Sequence, residues 1–182
     1  MYQTFSLAQA DALLRMSEGK ASKQSSSAPG HAAAAHLLIT NDEMRGRYWK
    51  EIYKKHSKES LVITAFVDSA SLAAAAQIVL NSKQAQGAMD ILFYHRVSRD
   101  GLRAEIRYSG VDEFRMRYVA SSGYAVQTMP ATCFVMILYR YDGRPFRLHI
   151  QTFFGAIPFE RRNDATIKGL EFPEVIINAG SA

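Results

Sequence analysis

The sequence feature that most constrains the fold is a change in hydrophobic periodicity near the middle of the chain. Up to Ser82 the apolar residues recur mainly at helical spacing, whereas later segments alternate or are β-branched, as in strands. Helices are predicted over residues 5–19, 31–39, 41–56 and 69–82. Strands are predicted over residues 61–67, 91–97, 102–108, 115–120, 132–141, 145–154 and 174–178. Helices followed by strands predict an α+β domain, with N-terminal helices packed on a curved, mainly antiparallel β-sheet.

Local signals support two of these elements in detail. Thr40 and Glu43 form a capping-box pattern that predicts the start of the helix over 41–56. Met44, Tyr48 and Ile52 recur every four residues and give that helix a buried stripe. In the strand over 145–154, alternation is expected to place Thr152 on one face with its apolar neighbours at positions 150 and 154.

Length and composition favour one globular domain of 182 residues with a basic surface. The formal net charge of +5 and the pI near 9.4 favour an anionic partner, nucleic acid or an acidic protein, although a solvated surface without such a partner is equally consistent. The single cysteine, Cys133, excludes an internal disulfide and any multi-cysteine zinc site. No window approaches about 18 continuous apolar residues, so no membrane association is expected.

The predicted organisation has three parts. Residues 1–29 are a helical arm followed by a serine-rich linker. Residues 30–158 are the main domain, and residues 159–182 are a C-terminal extension. The arm could dock on the domain, contact a partner or be the remnant of an upstream region.

The histidines are the candidates for a general base near neutral pH. His56, His95 and His149 are expected in surface or pairing roles. His31 and His36 are five residues apart on one short helix and face different directions, so a pair of metal ligands is not expected. The sequence lacks zinc-protease, phosphate-loop, dinucleotide-binding, nucleophile-elbow and paired-cysteine motifs. We therefore expect neither a metal nor a cofactor.

The residues from 30 to 47 resemble the opening of bacterial RNase A-like toxin domains. In this chain the pattern is carried by Gly30-His31, His36, Thr40 and Arg47. Residues 64–73 are similar to the segment that leads into the second long helix of that family, and residues 150–154 are similar to its closing hairpin. The family supplies C-terminal effectors of contact-dependent growth inhibition and related polymorphic toxin systems, and the resemblance spans His31 to Pro158.

The resemblance implies an RNase A-like fold and assigns roles to single residues. His36 becomes the general base or acid, Arg47 the cation beside the scissile phosphate, and Thr152 a hydrogen-bonding group on the closing strand. His31, Thr64, His149 and Phe154 are supporting candidates, with Tyr118 as a further source of the second acid or base. This chain departs from the family at Phe154, where a tyrosine is usual, and at Leu37 and Leu38.

The implied activity is metal-independent cleavage of RNA, with tRNA as one candidate substrate, by attack of the ribose 2′-OH on the adjacent phosphorus. Cations on the helix over 41–56 are the candidate RNA-binding residues: Arg45, Lys50, Lys54 and Lys55. The resemblance further implies a cognate acidic immunity protein and action in the cytoplasm of a target cell, after secretion or delivery by a system that this chain does not encode. The alternative is a catalytically weak or inactive module that binds RNA or an acidic protein on the same fold.

Overall fold

A computed structural model describes the chain over residues 4–19, 30, 32–55, 62–94, 102–120, 125–141, 145–156, 163–168 and 175–178, without the side chains of 54, 55, 175 and 178. The described helices are α1 (Leu7–Ser17), α2 (Ala32–His36), α3 (Asn41–Lys55), α4 (Ser69–Asn81) and α5 (Lys83–Tyr94). The described strands are β1 (Val62–Phe66), β2 (Arg103–Ala120), β3 (Gln127–Arg140), β4 (Leu148–Ala156), β5 (Asp164–Lys168) and β6 (Val175–Asn178). None of the described helices has the length and apolarity needed to cross a membrane.

The described strands form one six-stranded sheet, which confirms the α+β class and the antiparallel pairing. The central strand is β2, which pairs with β3 along one edge and with both β5 and β1 along the other. Between Ser109 and Phe114 its register with β3 shifts. Such a bulge bends a strand and increases its twist. The two segments predicted over 102–108 and 115–120 are therefore the two halves of one bent strand.

The main core lies between this sheet and helices α1, α4 and α5. At its centre Phe66, Phe134 and Phe153 bring their rings together from β1, β3 and β4, with centroids 5.4–6.1 Å apart. Because β1 and β4 are not neighbours in the sheet, this cluster shows that the bent sheet brings these two strands towards each other.

A second, smaller core lies under α3. Met44, Tyr48 and Ile52 are buried there against β1 and β2, which confirms the predicted stripe. The capping box is also confirmed, since the Thr40 backbone N–H donates to the Glu43 carboxylate at 2.7 Å and the Glu43 N–H donates to the Thr40 hydroxyl at 3.2 Å. Hydrogen bonds from Thr40 hold the pKa of the Glu43 carboxyl below its usual value, with the larger effect from the backbone N–H and the smaller one from the hydroxyl.

The N-terminal arm docks on the domain. Phe5, Leu13 and Leu14 belong to the main core, and the backbone N–H and C=O of Phe5 are both hydrogen-bonded to the side chain of Asn81. Of the three alternatives for the arm, the structure shows docking. The serine-rich linker, residues 20–29, lies outside the described residues.

The strand predicted over residues 91–97 is wrong. Residues 91–94 are the last turn of α5, and residues 95–97 lie outside the described residues. The helix is stabilised by its packing: a stripe at helical spacing, including Ala85, Ala88, Met89 and Leu92, is fully buried. Burial of this stripe outweighs the strand preference of the short apolar run at its end.

The C-terminal extension also contributes to the same sheet. β5, which was not predicted, pairs with β2, and Ala165 and Ile167 are fully buried in the main core. β6 pairs with β5 and confirms the strand predicted over 174–178, apart from residue 174, which lies outside the described residues.

The predicted alternation over residues 145–154 is wrong in one respect. Residues Pro145–Arg147 form a 3₁₀ turn, and within β4 the pairing with β3 slips by one residue at Gln151. Ile150 pairs with Leu138, whereas Thr152 pairs with Ile137, the next residue of β3. Neighbouring residues of a strand point to opposite faces, so Thr152 is not on the Ile150 face. Phe153 takes the core position instead.

Candidate functional site

The candidate site forms where α2 lies between β1 and β4. His36, the last residue of α2, is half-buried and contacts both strands. Its Nδ1 is 3.3 Å from the backbone oxygen of Thr64 on β1, and its Nε2 is 3.4 Å from the hydroxyl of Thr152 on β4. The structure thus brings together three residues named from the sequence, of which the first and last are 116 positions apart.

These two contacts decide which nitrogen of a neutral His36 carries the proton. A carbonyl oxygen only accepts hydrogen bonds, so Nδ1 must carry the hydrogen and donate to Thr64. The lone pair of Nε2 then faces Thr152, whose hydroxyl donates to it. An imidazole with its Nδ1–H held and its Nε2 lone pair directed at a hydroxyl has the arrangement of a general base.

Phe154 contributes an aromatic wall. Its ring stacks on the ring of His36, with centroids 5.3 Å apart and planes inclined by 30°. The slip at Gln151 is what turns both Thr152 and Phe154 away from the core, so that they meet His36 together. Phe154 is half-buried, in contrast to the fully buried Phe153.

Thr64 links the two strands beneath the histidine. Its hydroxyl donates to the backbone oxygen of Gly155 at 2.7 Å, while its own backbone oxygen accepts from His36. A Cβ at position 155 would clash with the sulfur of the buried Met116, so a larger residue there would require the Met116 side chain to move.

Arg47 reaches α2 from the next helix. Its Nη1 donates to the backbone oxygen of Ala35 at 3.0 Å, immediately before His36. Arg47 thus contacts the last turn of α2, next to His36. The exposed guanidinium places a positive charge beside the histidine.

Arg117 is a site residue that the sequence analysis missed. From β2 its Nη2 donates to the backbone oxygens of Leu37 at 3.1 Å and Ile39 at 2.8 Å, and its Nη1 donates to the side chain of Asn41 at 3.0 Å. It therefore fixes the segment between α2 and α3. No local signal points to it, because its partners lie 76–80 positions away.

The other candidates fall in different places. His31, His56 and His95 lie outside the described residues. His149 is fully buried, with its ring 6.3 Å from that of Tyr141, so a substrate does not reach it. Tyr118 lies on β2, directly opposite Thr64 of β1, and its hydroxyl is hydrogen-bonded to Gln127.

All four candidate RNA-binding cations belong to α3. Lys50 is exposed, and Arg45 forms an ion pair with Asp42 one turn before it. Lys54 and Lys55 belong to the helix, but their side chains lie outside the described residues. Across the described ranges, no three His, Cys, Asp or Glu side chains are grouped so as to hold a metal ion.

Site and fold together define an α+β domain with a histidine–threonine pair between its first and fourth strands. No protein-family model and no curated protein matches the sequence. Among solved structures, the chain is similar to a chain in the crystal structure of a CdiA-CT/CdiI complex from Y. kristensenii 33638. The TM-score is 0.49 at 19% sequence identity, over 70% of this chain and 100% of that chain.

Proposed function

We propose that this chain is a metal-independent endoribonuclease of the RNase A-like type, which cleaves RNA by transesterification. The observation that carries the proposal is the orientation of His36, with Nδ1 held by Thr64 and Nε2 directed at Thr152. The resemblance of residues 30–47, 64–73 and 150–154 to RNase A-like toxin domains agrees with these roles.

In the proposed reaction, the substrate displaces the Thr152 hydroxyl from Nε2 of His36, and Nε2 then takes the proton of a ribose 2′-OH. The 2′ oxygen then attacks the adjacent phosphorus, and the bond to the 5′ oxygen breaks. That oxygen leaves with a proton, so the products are a 2′,3′-cyclic phosphate and a free 5′-OH. Thr152 holds the imidazole in this orientation until the substrate enters. Among the described residues, the candidate for the proton donor is Tyr118, which lies opposite Thr64 and would have to give up its hydrogen bond to Gln127.

Arg47 supplies the positive charge for the phosphate. A guanidinium has five N–H donors, and the contact with Ala35 through Nη1 leaves others that can point towards a ligand beside His36. Charge develops on the phosphate oxygens in the transition state, where a positioned cation has its largest effect. Lys50, one turn after Arg47 on the same helix, would extend the contact along the RNA backbone. Arg45, two positions before Arg47, lies on a different side of the helix and pairs with Asp42.

The substrate 2′-OH provides the direct test. We expect the purified protein to cleave total RNA and tRNA in EDTA and to leave 2′,3′-cyclic phosphate ends. A matched oligonucleotide with one 2′-deoxy residue at the cleaved position should be resistant there and still bind. Equal cleavage of the deoxy substrate, or loss of cleavage in EDTA, would contradict this mechanism.

We propose further that the activity is that of a toxin, acting in the cytoplasm of a target cell and restrained by an acidic immunity protein. The net charge of +5 suits such a partner, whose association would be fast and salt-sensitive. Expression of the wild-type chain should arrest growth, and expression of a His36→Ala variant should not. Equal growth with both chains would count against a toxic nuclease.

The second candidate function is a binding module without catalysis, and Phe154 is the observation that favours it. Its ring covers one face of His36 but offers no hydrogen bond where the related domains usually have a tyrosine. On this hypothesis the site retains RNA or an acidic protein, and RNA is bound without being cut.

Phe154→Tyr tests whether position 154 belongs to the site or to the core. Because Phe154 is half-buried and stacks on His36, we expect cleavage to stay equal or rise with little change in stability. The matched control is Phe153→Tyr, in which the phenol enters the core beside Phe66 and Phe134 and costs about 1–3 kcal/mol if it finds no partner. Thermal unfolding and initial rates measure both effects. Stability losses of equal size would show that position 154 is also core.

A further inference from the structure

The end of α1 contacts both elements that carry the candidate site. Glu18, the residue after the helix, accepts two hydrogen bonds from the first turn of α2: its Oε2 from the N–H of Ala33 at 2.8 Å and its Oε1 from the N–H of Ala34 at 2.9 Å. One carboxylate thus satisfies two of the N–H groups that a helix start leaves without partners. Bonds from N–H groups to an ionised carboxylate are among the stronger ones.

Ser17 contacts the other element. Its hydroxyl accepts from the backbone N–H of Ile150 at 3.0 Å, and its side chain is almost completely buried. Ile150 is the residue before the slip at Gln151, two positions from Thr152. The bond therefore fixes β4 at the point where its register changes.

Gly30 closes the arrangement. The N–H of Gly19 donates to the backbone oxygen of Gly30 at 2.7 Å. A Cβ at position 30 would lie 2.1 Å from the backbone oxygen of Ser17 and 2.9 Å from the backbone oxygen of Ile150, so glycine alone permits this approach. The end of α1, the start of α2 and the backbone of β4 are thus in contact at one point.

The length of α2 makes these contacts necessary. The helix has five residues, far too few to be stable by itself in water. Its position comes from its surroundings: the packing of Ala32 and Ala35, Glu18 at its start, Arg47 at its last turn and Arg117 just beyond it. His36 is its last residue, so a shift of the start moves the imidazole relative to Thr152.

We propose that Ser17 and Glu18 are positioning residues for the site: they form a clip that sets the distance between His36 on α2 and Thr152 on β4. The N-terminal arm is then a working part of the site rather than an appendage. The catalytic consequence rests on the proposed ribonuclease function, whereas the position of His36 can be measured without RNA.

Glu18→Gln is the first test, with Ser17→Ala as a second variant. The carboxamide has one accepting oxygen, so one of the two N–H groups of α2 loses its acceptor. We expect hydrogen exchange at the N–H groups of Ala33 and Ala34 to quicken at least tenfold and the imidazole ¹⁵N shifts of His36 to move. A misplacement of this kind lowers kcat by roughly 10–100-fold, with KM changed about twofold or less. Ser17→Ala should also move the imidazole ¹⁵N shifts of His36 and lower kcat. In this variant hydrogen exchange should quicken at the N–H of Ile150.

The matched control is Asp11→Asn, which makes the same chemical change on the same helix. Asp11 pairs with the exposed Arg15. Among the hydrogen bonds of the described residues, none joins Asp11 to α2 or β4. We expect this variant to keep wild-type exchange, ¹⁵N shifts and kcat. Circular dichroism and thermal unfolding establish that all three variants are folded.

The outcomes are distinct. Unchanged ¹⁵N shifts of His36 in both clip variants would overturn the proposal, as would unchanged exchange at Ala33 and Ala34 in Glu18→Gln. If the wild-type protein does not cut RNA, the proposed function fails, and the clip is still judged by the ¹⁵N shifts. If the wild-type protein cuts RNA and both clip variants keep full kcat, the clip fails and the function stands.

Discussion

His36→Asn is expected to lower the rate of RNA cleavage by roughly 10²–10⁴-fold while the protein stays folded, because it removes the proposed proton acceptor. The asparagine Nδ2 lies near the position of Nδ1 and can still donate to the Thr64 oxygen. Nothing replaces Nε2 opposite Thr152. The variant thus separates the structural hydrogen bond of the histidine from its proposed chemistry.

Single-turnover cleavage measures this loss, and binding of the uncleavable deoxy oligonucleotide measures affinity. Affinity should change little, since the cations remain in place. Thr152→Ser is the matched control, because it keeps the hydroxyl that faces Nε2 and should retain most of the rate. A His36→Asn variant that cuts within about threefold of the wild type would rule out the general-base role and favour the binding-module hypothesis.

Local patterns in the sequence were sufficient where the determining contacts are themselves local. The capping box of Thr40 and Glu43 and the stripe of Met44, Tyr48 and Ile52 each join residues within a few turns, and both are confirmed. The start of α4 also depends on a local contact, in which the side chain of Asp68 accepts from the N–H of Ser71. Propensity and spacing are informative at this range.

The errors in the fold arise where packing decides. The run at the end of α5 suits a strand or a helix, and burial of its helical stripe settles the choice. The slip at Gln151 is a single-residue event that reverses the faces of Thr152 and Phe153, and alternation alone predicts the opposite arrangement.

The candidate site could be predicted only in part for a similar reason. His36, Arg47 and Thr152 were named through the family resemblance, since nothing in periodicity relates residues 116 positions apart. Arg117 and Glu18 act through hydrogen bonds to backbone groups. A residue of any type carries such groups. Such partners leave no pattern in the sequence.

Arg117→Met is expected to have the largest effect on stability. It removes the guanidinium, which donates three hydrogen bonds, and leaves the backbone oxygens of Leu37 and Ile39 without these donors. The Ile39 side chain beside them is almost fully buried. An acceptor left unsatisfied in such a place costs about 1–3 kcal/mol, so we expect a loss of about 2–5 kcal/mol in the free energy of unfolding. For a chain of 182 residues this lowers Tm by roughly 5–15 °C.

Arg115→Met is the matched control. Arg115 precedes Arg117 by two positions on β2, shares its face and is exposed, so its replacement should change the free energy of unfolding by about 0.5 kcal/mol or less. Arg117→Lys should recover only part of the loss, because one ammonium cannot reach the three acceptors that the guanidinium spans. Denaturant unfolding of the three variants measures these differences. If Arg117→Met unfolds at the same denaturant concentration as Arg115→Met, the segment between α2 and α3 does not depend on this arginine, and the support for His36 must come from Arg47 and Glu18 alone.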